Sequence, residues 1–576
     1  MTRASVECPG WAVGTAPGPG GRGPAEPYLA ARVLDALLRE DYGGLAARMT
    51  RTKDGVLLVL PSGRRVRLAP GHLYQDFVVA DGEALRLREV LDALVAQAAP
   101  ADADGVAAFA GECRAALRAY DLHDRHREHV LTRLRRPGPR ETIVYEALGA
   151  FGDHPVYPTS RARIGLSDEE VAAYAPEFAP SFPLRWAEVD ADLVTRSGDL
   201  PDWWPSSDSA HALFPVHPLT LPAVREIPGV TVRDEPHLVV RPTLSMRTVE
   251  VGARTHLKLP LATSTLGARN RRSIRPGTLG DGARAERLLR EVLAREPDLD
   301  VVLADEQTYA HAGHEYLGWM VRHLPPGEII PIAALLAPSP GVRTENGLLA
   351  PSLGVRVVDD LSQDPRTVDG LLAPSPGDRV VDDLAARYRG GSVAALLAGY
   401  LRLLFTWNVR LFVTYGVALE AHQQNLALVF GDQGTMRLLV KDNDGLLASP
   451  DRLVAAGLAV PEFADRRLLT GDPHALADVF VTITLHLAAA AIAFGAGHGE
   501  LVAEALAQAL AEHGGHPMAR LLRARTLDAA RLVGKSMVSA GTLVERARIG
   551  AADINKHYGT SGPNYLRRHP RREATP

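Results

Sequence analysis

"GVALEAHQQNLALVFGDQGTMRLLVKDNDG", residues 416–445, decides how this chain reads. An apolar run carries five polar side chains in its middle: Glu420, His422, Gln423, Gln424 and Asn425. Buried polar groups are costly unless paired or used, so the cluster asks for a ligand, an ion or a chemical role. The apolar pattern before it predicts a helix that delivers Glu420 and His422. "LALVF" then predicts a strand, "GDQG" a turn and "TMRLLV" a second strand, which returns "KDNDG" to the neighbourhood of His422 and Asn425. An Asn and an Asp at the two ends of a hairpin can supply oxygen ligands to one Mg2+.

Protein kinases hold nucleotide phosphates through a similar Asn, hairpin and Asp arrangement, but with an Asp base in the loop where this chain has "EAHQQN". The segment therefore favours ATP and Mg2+ without favouring phosphoryl transfer to a hydroxyl. A second cluster lies in "LSMRTVEVGARTHLKLPLATSTLGARNRRS", whose two strand patterns joined by "GAR" bring Ser245, Arg247, Thr248, Lys258, Thr265 and Arg269 together. Cations on a sheet suit phosphates or carboxylates, and Arg binds either in bidentate fashion. The third, "GDHPVYPTSRARIG" at 152–165 with "FPVHPLTLP" at 214–222, sets His154 and His217 on proline-stiffened backbone without regular metal-ligand spacing. No Walker A sequence offers another nucleotide site.

The chain's 576 residues, 46% hydrophobic and 23% charged, suffice for several lobes. A net charge of −4 gives no reason to expect a nucleic-acid partner. Two cysteines, Cys8 and Cys113, fit a reducing, cytoplasmic compartment. The pattern divides into a disordered tail over 1–27, a helical lobe with one hairpin over 28–145, and a strand-rich region over 146–333. A Pro/Gly-rich loop with a repeated "LLAPS" follows over 334–384, then a mainly helical region over 385–568 and a tail over 569–576. Residues 479–499 carry no Asp, Glu, Lys or Arg, but their Ala content and internal Thr and His predict a buried core helix and no membrane association.

In this order, the segments resemble the IucA/IucC family, the NRPS-independent siderophore synthetases. "GDHPVYPTSRARIGL" is similar to the family's GHPxHPxxKxRxGF at His154, Pro155, Pro158, Arg163 and Gly165. "YAPEF", "FPVHP", "SMRT", "HLKLPL", "TLGAR", "EAHQQN", "KDNDG", a Lys-containing "GKSMV" helix and "PNYL" follow as the family has them. The resemblance implies an α+β fold of three hand-like lobes: a helical thumb, strand-rich fingers and a palm holding a kinase-like nucleotide-binding hairpin. It also implies ATP-dependent adenylation of a carboxylate, then attack by an amine or hydroxyl to give an amide or ester. By that resemblance Ser245, Arg247, Thr248, Lys258, His422, Asn425 and Asp442 contact ATP, and Glu420, Asn425 and Asp442 hold Mg2+. His154, Arg161, Thr265 and Arg269 orient the carboxylate, while His422, Arg269 and Lys258 serve catalysis. Citrate, a succinyl acid or a citryl-type acid is the expected substrate, and homodimers are common in the family. Tyr157 stands where the motif has its second His, Arg161 where it has Lys, and Thr265 follows Lys258 one residue early. Two other readings remain open: a kinase-like phosphotransferase releasing ADP, and a binding protein that has lost catalysis.

Overall fold

The computed structural model describes residues 25–53, 55–134, 141–339, 379–549 and 557–567. Most of the repeated loop, with Arg356 and Arg366, lies outside the described residues. The first helix, Ala25–Arg39, begins inside the stretch expected to be tail. Glu26 and Pro27 are both tolerated in a first helical turn, and Ala25 is already buried.

That helix packs with Leu87–Gln97 and Ala103–Leu134 over a four-stranded antiparallel sheet in sequential order. The expected hairpin is there, Gly55–Val59 with Arg65–Pro70, and Met49–Thr52 and Phe77–Val79 extend it on either side. Leu29, Val33, Leu58, Val66, Phe109 and Cys113 form the buried centre.

The middle region is built on a larger sheet, nine-stranded among the described residues. Its site-bearing part runs Asp305–His311, Gly318–His323, Thr255–Lys258, Thr248–Gly252 and His237–Pro242, all antiparallel. Lys258 lies opposite Thr248 and Met320, and His256 opposite Glu250 and Arg322. Side chains alternate along a strand, so these residues share one face. The other face presents Val249, Leu257, Trp319 and Val321 to an apolar core. One face is thus spent on folding, and the opposite one is left for charge.

The hairpin of residues 426–440 forms as the two apolar runs and the "GDQG" turn predict, with Leu426 opposite Val440 and Phe430 opposite Met436. Glu328–Pro331 flanks it on one side, and Val301–Leu303 runs parallel to its second strand on the other. Helix Val393–Arg410, capped by Ser392 accepting from the Ala395 N–H at 3.1 Å, leads toward it. The helix does not reach Glu420, which corrects the expectation. It widens to a π turn at Leu411–Tyr415 and stops at Gly416, with φ +65°. A Cβ there would lie 2.6 Å from Arg452 Cδ, so the close packing demands glycine. Val417–Ala418 is then a short strand, and 419–425 is loop.

Residues 479–499 are core. Pro473–Val479, a π stretch at Phe480–Ala490 and Ala491–Gly495 are continuous, and every residue of the π stretch is buried. Two helical spans among the described residues, 393–415 and 473–495, are long and apolar enough to cross a membrane, and both are mostly buried within the fold. Tyr565 of "PNYL" donates to His486 Nδ1 at 2.8 Å, while His486 Nε2–H donates to the Val533 carbonyl at 2.8 Å.

Candidate active site

Where the charged sheet face meets the end of the hairpin, Lys258 is 1% exposed. Its ammonium donates to Asp442 Oδ1 and, at 3.0 Å, to Asp444 Oδ2. Burial opposes charge on Asp442, but Lys258, Arg322 and Arg247 outweigh it and hold the carboxyl far below the usual range. Asp442 has a left-handed backbone, φ 64° and ψ 69°, and its N–H donates to Glu306 Oε1 at 2.8 Å. The same oxygen accepts from Arg322 Nε at 2.5 Å.

The 419–425 loop closes over this pair. The Asn425 side-chain amide donates to the Glu420 carbonyl at 3.1 Å, which leaves its own oxygen as an acceptor. The Glu420 carboxylate lies against Gly445. His422 Nδ1 accepts from the Gln424 N–H at 3.3 Å, so the ring proton sits on Nε2. Burial, against the pull of Asp442, lowers the His422 pKa to about 4, with Lys535, Arg272 and Lys441 adding to the depression. His154 is set the same way: its Nδ1 accepts from the N–H groups of Val156 and Tyr157 at 3.2 and 3.0 Å. Burial and then His422 lower its pKa to about 3, so His422 is close enough to disfavour charge on His154. Both are neutral donors at neutral pH.

Ser245 Oγ accepts from the Thr248 N–H at 3.0 Å in a tight turn whose Met246 has φ 63°. Arg247 donates to the Ser273 carbonyl at 3.0 Å. Leu266, between Thr265 and Arg269, has φ 55°. Among the described residues, three of the seven non-glycine residues with positive φ, Met246, Leu266 and Asp442, thus lie in the segments singled out from the sequence; such strain persists only where surroundings over-determine it. Arg269 donates to the Ala540 carbonyl at 3.0 Å, and its N–H to that of Gly541 at 3.1 Å, so with Thr265 it lies on a turn against the C-terminal segment.

The structure brings Arg247, Lys258, Glu420, His422, Asn425 and Asp442 together, with His154 beside them and Ser245 and Thr248 lining the sheet edge. Arg161 stands apart. Its guanidinium donates to Asp153 Oδ1 at 2.9 Å, to His123 Nδ1 at 3.1 Å and to the Phe151 carbonyl, and lies over the Tyr120 ring. Those donors are committed inside the fold, where Arg161 anchors the loop bearing His154 and does not face the cleft. Tyr157 donates to Glu112 Oε2 at 2.9 Å, and Thr159, Thr542 and the Ala268 N–H donate to the same buried carboxyl. Lys441 pairs with Glu146 at 2.9 Å, both buried. "GKSMV" is not a regular helix: Lys535 follows the strand Arg531–Gly534 and precedes a π turn, Ser539–Leu543.

Sequence reasoning missed Glu306, Arg322 and Arg272. Burial and Arg247 pull the Arg272 pKa down to about 9 against Asp442, which places a cation within the cluster. A charged residue inside an apolar strand, as in "WMVRH", was the available signal for Arg322.

The IucA / IucC family profile matches residues 141–337, and one described as ferric iron reductase FhuF-like transporter matches 394–536. The latter segment contains no cysteine, so it supplies no thiolate for an iron–sulfur centre. The rhizobactin siderophore biosynthesis protein RhbC of Rhizobium meliloti is 24% identical over 57% of this chain and 58% of its own length. Staphyloferrin B synthase of Staphylococcus aureus is 22% identical over 56% and 57%. The chain thus spans somewhat over half the length of these curated relatives. Among solved structures, the petrobactin biosynthesis protein AsbB of Bacillus anthracis superposes with a TM-score of 0.69 at 14% identity, covering 95% of this chain and 96% of that one. ATP-bound aerobactin synthetase IucA of Klebsiella pneumoniae gives 0.63 at 17% identity, covering 94% and 99%. Residues 141–337 thus match the IucA / IucC family profile, and the chain is similar in sequence to siderophore biosynthesis proteins and in fold to siderophore synthetases.

Proposed function

We propose that the protein is a cytoplasmic ATP-dependent ligase that adenylates a small carboxylic acid and condenses it with an amine or alcohol in siderophore biosynthesis. The observation that carries this reading is the convergence of Lys258, Arg247 and Arg272 with Asp442 and two neutral imidazoles at one cleft. Citrate, a succinyl acid and citryl-type acids are the first substrates to test. The hand-like division into thumb, fingers and palm, and a homodimeric state, belong to the same proposal.

The residues present fit Mg2+. Asp442 and Asn425 offer oxygen ligands, with Glu420 adjacent, and Mg2+ takes one or two carboxylates plus substrate phosphates. When bound, the ion would supply charge neutralisation at the phosphates. Lys258 and Arg247 would bind and orient the triphosphate, and His422 Nε2–H would donate to a phosphate oxygen. His154, with Thr265 and Arg269 on the neighbouring turn, would orient the acid. The carboxylate attacks the α-phosphorus and pyrophosphate leaves; an amine or hydroxyl then attacks the acyl carbon, AMP leaves, and the nucleophile's proton passes to solvent. Much of the rate gain would come from alignment and fixed donors.

Incubation with ATP, Mg2+ and a panel of carboxylates and nucleophiles tests the reading. AMP with pyrophosphate supports it. ADP points to a phosphotransferase, and ligand binding without turnover to a protein that has lost catalysis.

A further inference from the structure

One buried ion pair in the cleft is left unused by the mechanism above. Glu306 and Arg322 are each 4% exposed on neighbouring strands, and both meet Asp442: Glu306 through the Asp442 N–H, and Arg322 through Asp442 Oδ1 at 3.8 Å. Arg322 Nη2 has no hydrogen-bond partner among the described residues. Breaking a buried pair is costly, and a pair kept at the floor of a cleft needs a reason.

The geometry supplies one. Asp442 adopts a left-handed backbone that a non-glycine residue holds only against a local cost. Its one backbone donor is taken by Glu306 Oε1, which Arg322 Nε fixes in turn. Lys258 meanwhile bridges Asp442 and Asp444. The ammonium keeps a third donor for a phosphate, and a phosphate that takes more than that one displaces a carboxylate. If Lys258 were what held Asp442, nucleotide binding would release the carboxylate just when its position matters.

We propose that Glu306 and Arg322 are positioning residues that hold Asp442 in its left-handed conformation independently of Lys258, so that Lys258 can exchange a carboxylate for a phosphate while Asp442 stays in place. Arg322 Nη2 is then the standing partner for Asp442 Oδ1. The proposal rests on the nucleotide reading above for its functional half, and on geometry alone for its structural half.

The test uses the full-length protein and two readouts: hydrogen exchange of the 438–446 segment, and Mg·ATP affinity by calorimetry. Glu306→Ala removes the acceptor, so exchange at the Asp442 amide should quicken about tenfold or more, and Mg·ATP should bind about tenfold or more weakly. Glu306→Gln retains an acceptor and should stay within about threefold of wild type in exchange. Lys258→Met should leave Asp442 exchange at the wild-type rate while losing nucleotide affinity. The proposal is overturned if Lys258→Met frees that amide as much as Glu306→Ala does, or if folded Glu306→Ala keeps wild-type affinity. Should Glu306→Ala fail to fold, Arg322→Gln takes its place with the same two expectations, because the shorter neutral amide removes the cation that pairs with Glu306 and faces Asp442. A wild-type protein that binds no Mg·ATP would sink the nucleotide reading, and the exchange comparison would still decide whether the pair holds Asp442.

Discussion

Gly445→Ala separates the cleft's function from its stability. A Cβ at this position would lie 2.4 Å from Glu420 Oε2, 2.5 Å from Cδ and 2.8 Å from Cγ, where ordinary contact begins near 3.4 Å. The Glu420 carboxylate must therefore retreat by about 1 Å. The backbone is not strained, since Gly445 is absent from the positive-φ residues, and what yields is the far end of a flexible side chain. The folding cost should sit at the low end of the overpacking range, about 1 kcal/mol, with about 0.4–1 kcal/mol recovered from the unfolded chain's lost freedom. A 1 Å error at a reacting or ligating group, by contrast, can cost about a hundredfold. Calorimetric titration with Mg·ATP should show affinity weakened about tenfold to a hundredfold, while thermal melting stays close to wild type. Gly111→Ala is the control: it lies in the 103–134 helix with nothing within 4 Å of its new methyl, and should leave affinity unchanged while raising the melting temperature slightly. Wild-type affinity in Gly445→Ala would refute the placement of Glu420 at the nucleotide's metal.

Asp442→Ala should abolish pyrophosphate release yet leave the protein folded, because Lys258 keeps Asp444 at 3.0 Å; normal release, measured with a coupled pyrophosphate assay, would overturn the role of Asp442. Burial holds His154 and His217 near pKa 3 and His422 and His486 near 4, below their unfolded value of 6.5. Their contribution to stability is complete above about pH 6.5 and is lost on acidification, toward pH 4 for His422 and His486 and toward pH 3 for His154 and His217, at up to about 1.4 kcal/mol per pH unit each. Asp35, which burial raises to about 7, works in the opposite sense. His486→Gln can keep both hydrogen bonds without titrating, so its denaturation midpoint should fall less steeply with acid; an unchanged slope would count against the assignment. Tyr157→Phe deletes one of four donors to Glu112 and should cost about 1–2 kcal/mol in denaturant melts, with no change in Mg·ATP affinity.

Local signals carried far in this chain. The 426–440 hairpin follows from two apolar runs and a Gly-flanked turn, whereas the meeting of Lys258 with "KDNDG" joins two separate sheets and was legible only through the family resemblance. The end of the helix before Glu420 was not legible, because the clash that requires Gly416 comes from Arg452, 36 positions downstream. Arg161 read as a substrate residue for the same kind of reason: Asp153, His123 and the Phe151 carbonyl, which occupy it, converge only in three dimensions. Glu306 and Arg322 owe their meaning to strand register, which no single segment encodes.

The Glu112 carboxyl gathers donors from positions 157, 159, 268 and 542. On a ribosome those arrive in sequence, and the last hydroxyl emerges more than four hundred residues after the carboxylate that receives it. Until then the turn carrying Thr265 and Arg269 has the Ala268 N–H bond to Glu112 but lacks the Arg269 contacts, since Ala540 and Gly541 come from the same late segment. The cleft is therefore assembled only as synthesis ends. A chain interrupted before residue 540 lacks the surface against which the turn of residues 265–269 is held.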